Sequence, residues 1–223
     1  MTAPTLAEGA KILGVDVSAA QTAQLDAYLD AMLEINKSLN LTSIRERGDA
    51  VVRHVLDSLS IVPVWHAVAG AQPPRRVLDL GTGGGYPGSV LAAMWPQARV
   101  LMIDSTGKKV RAVAQCLVAA GIKNAEAHQA RGEQLPALRR ETRGAFDLCI
   151  ARAVGPAAAI VRECAPLLSR RGRVFLMKGP NTSAEEIESA VIEAKRHGLD
   201  VEPQRTADVP GLERRLVLVY SRP

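Results

Sequence analysis

Apolar positions along the chain follow two different rhythms. In "SAAQTAQLDAYLDAMLEINKSL" the residues Leu25, Tyr28, Leu29, Met32, Leu33 and Ile35 recur at three- and four-residue spacing. That is the stripe of a helix buried along one face, and Ser18 is its expected N-cap. A shorter helix is expected over Leu6–Leu13, ending at Gly14, where a left-handed turn is easiest for glycine. "NLTSIRERGDAVVRHVLDSLSIVPVW" opens as a polar loop, after which Asp49 is placed to cap a helix that ends near Pro63. "AVAGAQPPRR" has the composition of a linker. The expected division is therefore an N-terminal helical extension, 1–72, packed on a core domain, 73–223.

From Arg76 the rhythm alternates between short apolar runs and amphipathic stretches. "RVLDL", "ARVLMID", "AEAHQA", "FDLCIARAV", "GRVFLMKG", "LDVEPQRT" and "RRLVLVYS" read as seven strands. Helices fit between most of them: one opening at Pro87, one over "GKKVRAVAQCLVAAG", one over "PAAAIVRECAPLLS" interrupted by Pro166, and one over "SAEEIESAVIEAKRHG". In the last, Ser183 and Glu186 have the spacing of a capping box. Alternating strands and helices predict an α/β fold, a mostly parallel seven-stranded sheet covered on both faces. The final two strands lack an intervening helix and predict an antiparallel edge.

Composition narrows the classes. The chain has 223 residues, 47% hydrophobic and 23% charged, with a formal net charge of +5. A mildly basic balance permits a polyanionic partner without demanding one. Cys116, Cys149 and Cys164 are scattered, with neither C-x-x-C nor metal-ligand spacing, so reduced thiols, no metal site and a cytoplasmic location are expected. The start "MTAPTLAEGAKILGV" lacks the pattern of a secretion signal. Aromatic residues are only 3%, too few for binding dominated by base stacking.

Candidate chemistry centres on "RVLDLGTGGGYPG". Glycine permits positive φ, and its missing Cβ lets a ligand touch the main chain. The helix start that follows offers free N–H groups to an anion. Gly83, Gly85 and Gly88 fit the dinucleotide fingerprint, but the preceding strand ends before Gly81 and Gly88 falls inside the next helix, so the register is wrong. Asp79-x-Gly81-x-Gly83-x-Gly85 instead resembles the first motif of S-adenosylmethionine-dependent methyltransferases with the Rossmann-like (class I) fold. Asp104, ending the second strand, suits both ribose hydroxyls and thus an adenosine cofactor of either kind.

The target atom is narrowed by what the fourth strand lacks. Methylation of a pyrimidine carbon needs a cysteine nucleophile. None follows that strand, and Cys149 and Cys164 are expected in the core. Methyltransferases of exocyclic amino groups usually carry [Asn/Asp]-Pro-Pro-[Tyr/Phe] there, whereas this chain has Ala151, Arg152 and Ala153. Guanine N7 has a free in-plane lone pair and loses no proton, so it requires no general base. A site with arginines and no base is compatible with it.

The segments "NLTSIRERGDAVVRHVLDSL", "DLGTGGGYPG", "DSTGKKVRA", "ARGEQL", "IARAVGPAA" and "LMKGP" follow one another in this order. Together they are similar to the RsmG family, also called glucose-inhibited division protein B, the bacterial 16S ribosomal RNA guanine-N7 methyltransferases. The resemblance spans about Ala27 to Tyr220. It implies a cofactor site in which Gly81, Gly83 and Gly85 hold the methionine portion of S-adenosyl-L-methionine and Tyr86 lines the pocket. Asp104 and Ser105 would meet the ribose and adenine edge, Gly132 and Glu133 would lie beside the adenine, and Arg152 would complete the pocket as an auxiliary catalytic candidate. Asn40, Thr42, Arg53, His54, Arg131 and Lys178 become candidates for contact with 16S ribosomal RNA or the small ribosomal subunit. A monomer with no membrane association is expected. Two other functions fit the glycine turn: a ribosome-assembly or RNA-binding factor that binds the cofactor without essential turnover, and a small-molecule methyltransferase with the N-terminal helices as a lid. The family often carries a glycine–proline pair and a leucine or phenylalanine in the turn. Gly83-Gly84-Gly85-Tyr86 departs from this by adding backbone freedom and a phenolic hydroxyl.

Overall fold

The computed structural model describes residues 4–223. Two N-terminal helices, α1 (Leu6–Ile12) and α2 (Ala19–Leu39), each begin with a reciprocal capping box, Thr5 with Glu8 and Ser18 with Gln21. A helical segment follows: α3 (Arg47–Ala50), a wider π-helical stretch over Val51–Leu56, α4 (Asp57–Leu59) and α5 (Ile61–Ala69). The expected cap and end of this segment are both displaced. Glu46, not Asp49, precedes the first turn. Pro63 lies inside α5 rather than ending the helix. It sits in the first turn, where the missing N–H has no intrahelical acceptor anyway.

The sheet is built from β1 (Arg76–Leu80), β2 (Arg99–Asp104), β3 (Ala125–Gln129), β4 (Phe146–Arg152), β5 (Leu168–Lys178), β6 (Asp200–Val201), β7 (Arg205–Ala207) and β8 (Arg215–Ser221). Its order is β3-β2-β1-β4-β5-β8-β6, with β7 also on β8. Pairings from β3 to β5 are parallel and those of β8 antiparallel. The expected strand "LDVEPQRT" divides into β6 and β7 around Pro203, giving eight strands, because proline cannot donate to the ladder. Arg170 and Arg171 lie, exposed, in a register shift of β5 against β4, and Arg171 has φ of 68°.

Side chains alternate between two cores, as the two-residue strand period requires. Val77, Val100, Met102, Leu148, Ile150, Phe175 and Val219 face the side covered by α6 (Gly88–Met94), α7 (Gly107–Ala119) and the N-terminal helices. Leu78, Leu101, Ile103, Cys149, Leu176 and Tyr220 face α9 (Ala157–Cys164) and α10 (Ala184–Arg196). A short α8 (Leu135–Leu138) lies between β3 and β4. Leu25, Tyr28, Leu29 and Met32 of α2 belong to the same apolar cluster as Val90, Leu91, Val113 and Cys116. Each such side chain contributes about 1.5–3 kcal/mol on full burial. Gln21 adds a hydrogen bond to the Ala93 carbonyl.

Ser183 caps α10, but Glu186 does not complete the capping box. Its carboxylate accepts instead from Lys178 Nζ at 2.8 Å and the Ala157 N–H at 3.1 Å. Arg139 pairs with Glu126 and Glu141 at 2.9 Å each.

Candidate active site

The chain reverses its direction of travel across the sheet between β1 and its neighbour β4. Ligands in such sheets bind beyond the carboxyl ends of the strands at that point. A cavity of about 580 Å³ lies there, walled by Gly81–Gly84, Asp104–Thr106, Ala130–Glu133 and Arg152–Val154, with Leu41, Thr42 and His54 from the N-terminal segment. A hollow of similar size at the other end includes Arg76, Glu126, Arg139 and Glu141. There Arg139 is already neutralised by the two glutamates.

The glycine turn is stapled from below by Asp79. Its fully buried carboxylate accepts from Thr82 Oγ1 at 2.6 Å and from the Gly88 N–H at 2.9 Å. Burial lifts its pKa to about 6 despite those two hydrogen bonds, which pull the other way. The glycines are required for separate reasons. A Cβ on Gly88 would meet Asp79 Oδ2 at 2.7 Å, and one on Gly81 would meet Val154 at 2.5 Å. On Gly85 it would fall 1.6 Å from the Tyr28 hydroxyl, which itself donates to the Gly84 carbonyl. Gly85 therefore makes room for α2, not for a ligand, and it is absent from the cavity wall. Gly83, with φ of 58°, has only the Gly81 carbonyl within 4 Å of its missing Cβ, at 3.9 Å. Its Cβ direction is open space.

Asp104 joins the turn to β2. Its Oδ2 accepts from the Gly83 N–H at 3.1 Å and its Oδ1 from the Thr106 N–H at 2.8 Å. A carboxylate has about four acceptor sites, so each oxygen keeps capacity for a diol. Ser105, Gly132 and Glu133 also line the cavity, as expected. Glu163 was not anticipated from sequence: it reaches from α9 so that its carboxyl lies 2.5 Å from where a Gly132 Cβ would be. Burial raises its pKa, and the neighbouring Glu133 charge adds to the effect. Tyr86 is 3% exposed, so it is no surface aromatic; its hydroxyl is buried and unpartnered.

Arg152 stands where the N-terminal segment meets β4. Its Nη1 donates to Asp57 Oδ2 at 2.9 Å and to the Arg53 carbonyl at 3.0 Å. Its guanidinium lies 5.8 Å from the Tyr86 ring centroid, and the His54 ring stacks on that same Tyr86 at 4.8 Å. His54 Nδ1 faces Arg152 Nη2 at 3.5 Å. Burial and the Arg152 charge depress the imidazole pKa to about 4, so His54 is neutral near pH 7. The wide helical turn over Val51–Leu56 carries His54 and leads into Asp57, three residues on and on the same side.

The expected RNA-facing residues separate into two groups. Thr42, His54 and Arg131 line the cavity. Asn40, Arg53 and Lys178 do not. Asn40 is exposed and accepts from Arg45, and the Arg53 side chain is exposed while its carbonyl holds Arg152. Lys178 is neutralised by Glu186 and donates to the Gly155 carbonyl. The three cysteines are buried and outside the cavity wall.

Solved structures of low sequence identity share this architecture. Fibrillarin of Aeropyrum pernix, solved with natively bound S-adenosyl-L-methionine, superposes with a TM-score of 0.56 at 16% identity, over 73% of each chain. A methyltransferase of Methanosarcina mazei gives 0.56 at 15% identity, over 72% of this chain and 97% of that one. Residues 21–215 match the GidB family, rRNA small subunit methyltransferase G, and the chain belongs to it. Ribosomal RNA small subunit methyltransferase G of Leptothrix cholodnii is 35% identical over 98% of this chain and 94% of that protein. The protein of the same name from Ralstonia nicotianae is 36% identical over 98% and 95%. Among the described residues no helix is long and apolar enough to cross a membrane.

Proposed function

We propose that this protein transfers a methyl group from S-adenosyl-L-methionine to N7 of a guanine in 16S ribosomal RNA. One observation carries the proposal. A single cavity joins an open glycine turn and a diol-ready carboxylate, on one side, to an arginine held by the N-terminal segment, on the other. The cofactor fits these residues: the missing Gly83 Cβ leaves space against the main chain, and Asp104 retains acceptor capacity.

In this view the Gly81–Gly84 backbone holds the methionine portion. Asp104 holds the ribose, Ser105, Gly132 and Glu133 surround the adenine, and Arg152 faces the carboxylate end. The bound cofactor supplies an electrophilic methyl on its sulfonium. The chain's own task is positioning, since guanine N7 gives up no proton. His54, kept neutral, and Thr42 border the side on which a base would enter, and Arg131 stands at the rim for phosphate. Lys109, at the cavity wall on α7, is a further basic group beside it. The extension 1–72 then acts as part of the site wall for domain 73–223, in a monomeric cytoplasmic enzyme. The alternative of an assembly factor that merely binds the cofactor is not favoured by relatives named as methyltransferases.

The test is incubation of the protein and labelled cofactor with small subunits from a strain lacking this methylation. Label at a guanine N7, mapped by strand scission and reverse-transcription stops, is the expected result. Label elsewhere or nowhere overturns the proposal.

A further inference from the structure

We infer that Arg215, a residue of the last strand, sets the orientation of Arg152 in the cavity by occupying the competing face of Asp57. This inference rests on the functional proposal above and adds a positioning residue to it.

Asp57 is fully buried, and its carboxylate is shared by two guanidinium groups, Arg152 from β4 and Arg215 from β8. Arg215 takes the two-pronged geometry: Nε to Oδ1 at 2.6 Å and Nη2 to Oδ2 at 3.0 Å. Arg152 has what remains, one contact from Nη1 to Oδ2 at 2.9 Å. Forked pairing is the preferred arrangement of arginine with a carboxylate. With Arg215 already in that position, Arg152 is held end-on, and its Nη2 stays beside His54 at the cavity wall. Without Arg215, Oδ1 would lose its partner, and a buried unsatisfied carboxylate oxygen is costly. The other guanidinium already on this carboxylate is Arg152, which would swing into the forked pose and draw its second nitrogen from the cavity. The cluster has two positive charges against one negative, and of the two arginines Arg152 is the one that lines the cavity.

The experiment is a double-mutant cycle with Arg215→Met and Arg152→Ala, read on two quantities: methyl transfer to small subunits and calorimetric affinity for S-adenosylmethionine. Arg215→Met should lower turnover by on the order of tenfold in the wild-type background. In the Arg152→Ala background the same change should cost less than about twofold, because the residue it orients is gone. Arg215→Lys keeps the charge but not the fork and should fall between wild type and Arg215→Met. It also serves if the methionine variant folds poorly. A structural role alone would lower the unfolding temperature while leaving equal losses in both backgrounds, and that result overturns the inference. So does a wild-type rate in Arg215→Met. If the wild-type protein methylates no particle, the functional proposal fails separately. The cycle on cofactor affinity then decides Arg215: non-additive losses support its role and additive or absent losses refute it.

Discussion

The glycine turn and the Asp57 cluster meet at one cavity but are made in opposite ways. The turn, Gly81–Gly88, is local: Thr82 and Gly88 both donate to Asp79, within ten residues. The cluster unites residues 57, 152 and 215, separated by most of the chain. The turn offers main-chain N–H groups and empty space, whereas the cluster offers a charge whose direction depends on a neighbour. A ligand surface built from backbone tolerates little change in shape. A surface built from competing ion pairs is sensitive to a partner that never touches the ligand.

Four perturbations would break or sharpen that contrast. The largest effect is expected at Gly85, where φ is 95° and a methyl would fall 1.6 Å from the Tyr28 hydroxyl. Gly85→Ala should lower stability by on the order of 3 kcal/mol or more through strain and overpacking. A shift in the denaturant midpoint equivalent to under about 1 kcal/mol would remove α2 from the turn's design.

Arg152→Ala should reduce turnover by on the order of 100-fold, about 2.7 kcal/mol in the barrier. Stability should fall by less, because Asp57 keeps its forked partner Arg215. Steady-state rates set beside thermal unfolding decide this, and an unchanged rate places Arg152 outside the chemistry.

Gly83→Val directs a branched side chain into the cavity from a position with φ of 58°. Cofactor affinity should drop by on the order of tenfold, with about 1 kcal/mol lost from stability for the strained backbone. Calorimetry that finds the affinity intact would move the cofactor away from this turn.

The smallest effect concerns pH. His54 has a folded pKa of about 4, below its ordinary 6.5, so its neutral ring favours the fold above that ordinary value. The benefit is lost as pH falls toward 4. Asp79 has the opposite slope: its folded pKa of about 6 exceeds the ordinary 3.8, so its contribution is present below 3.8 and lost as pH rises through 6. Since the two windows overlap, the comparison must be with a variant. His54→Phe should spare about 1 kcal/mol of the loss between about pH 7 and about pH 5.7. Parallel curves for wild type and variant would show that the imidazole is not what titrates.

Much of the site was legible because its signals are local. Asp104 was readable from its place at a strand end, and Gly81 and Gly83 from the strand-to-turn register. Gly85 looked identical to them in sequence, yet its neighbour is Tyr28, whose own place in an apolar stripe says only that it is buried. Lys178 and Glu186 also looked independent, one as an RNA contact and the other as a capping residue, but the close of β5 against α10 turns them toward each other. Glu163 and Arg215 left no motif at all, since each acts through a side chain reached only after folding.

The sequence alone determined the alternation of strands and helices, the stripe of α2 and the glycine turn, because periodicity and backbone freedom are properties of neighbouring residues. Tertiary structure decided which glycine faces open space, why His54 stays neutral, and how Asp57 divides its oxygens between two arginines. Those outcomes depend on burial and on competition for hydrogen bonds among distant groups, and neither exists until the chain has closed on itself.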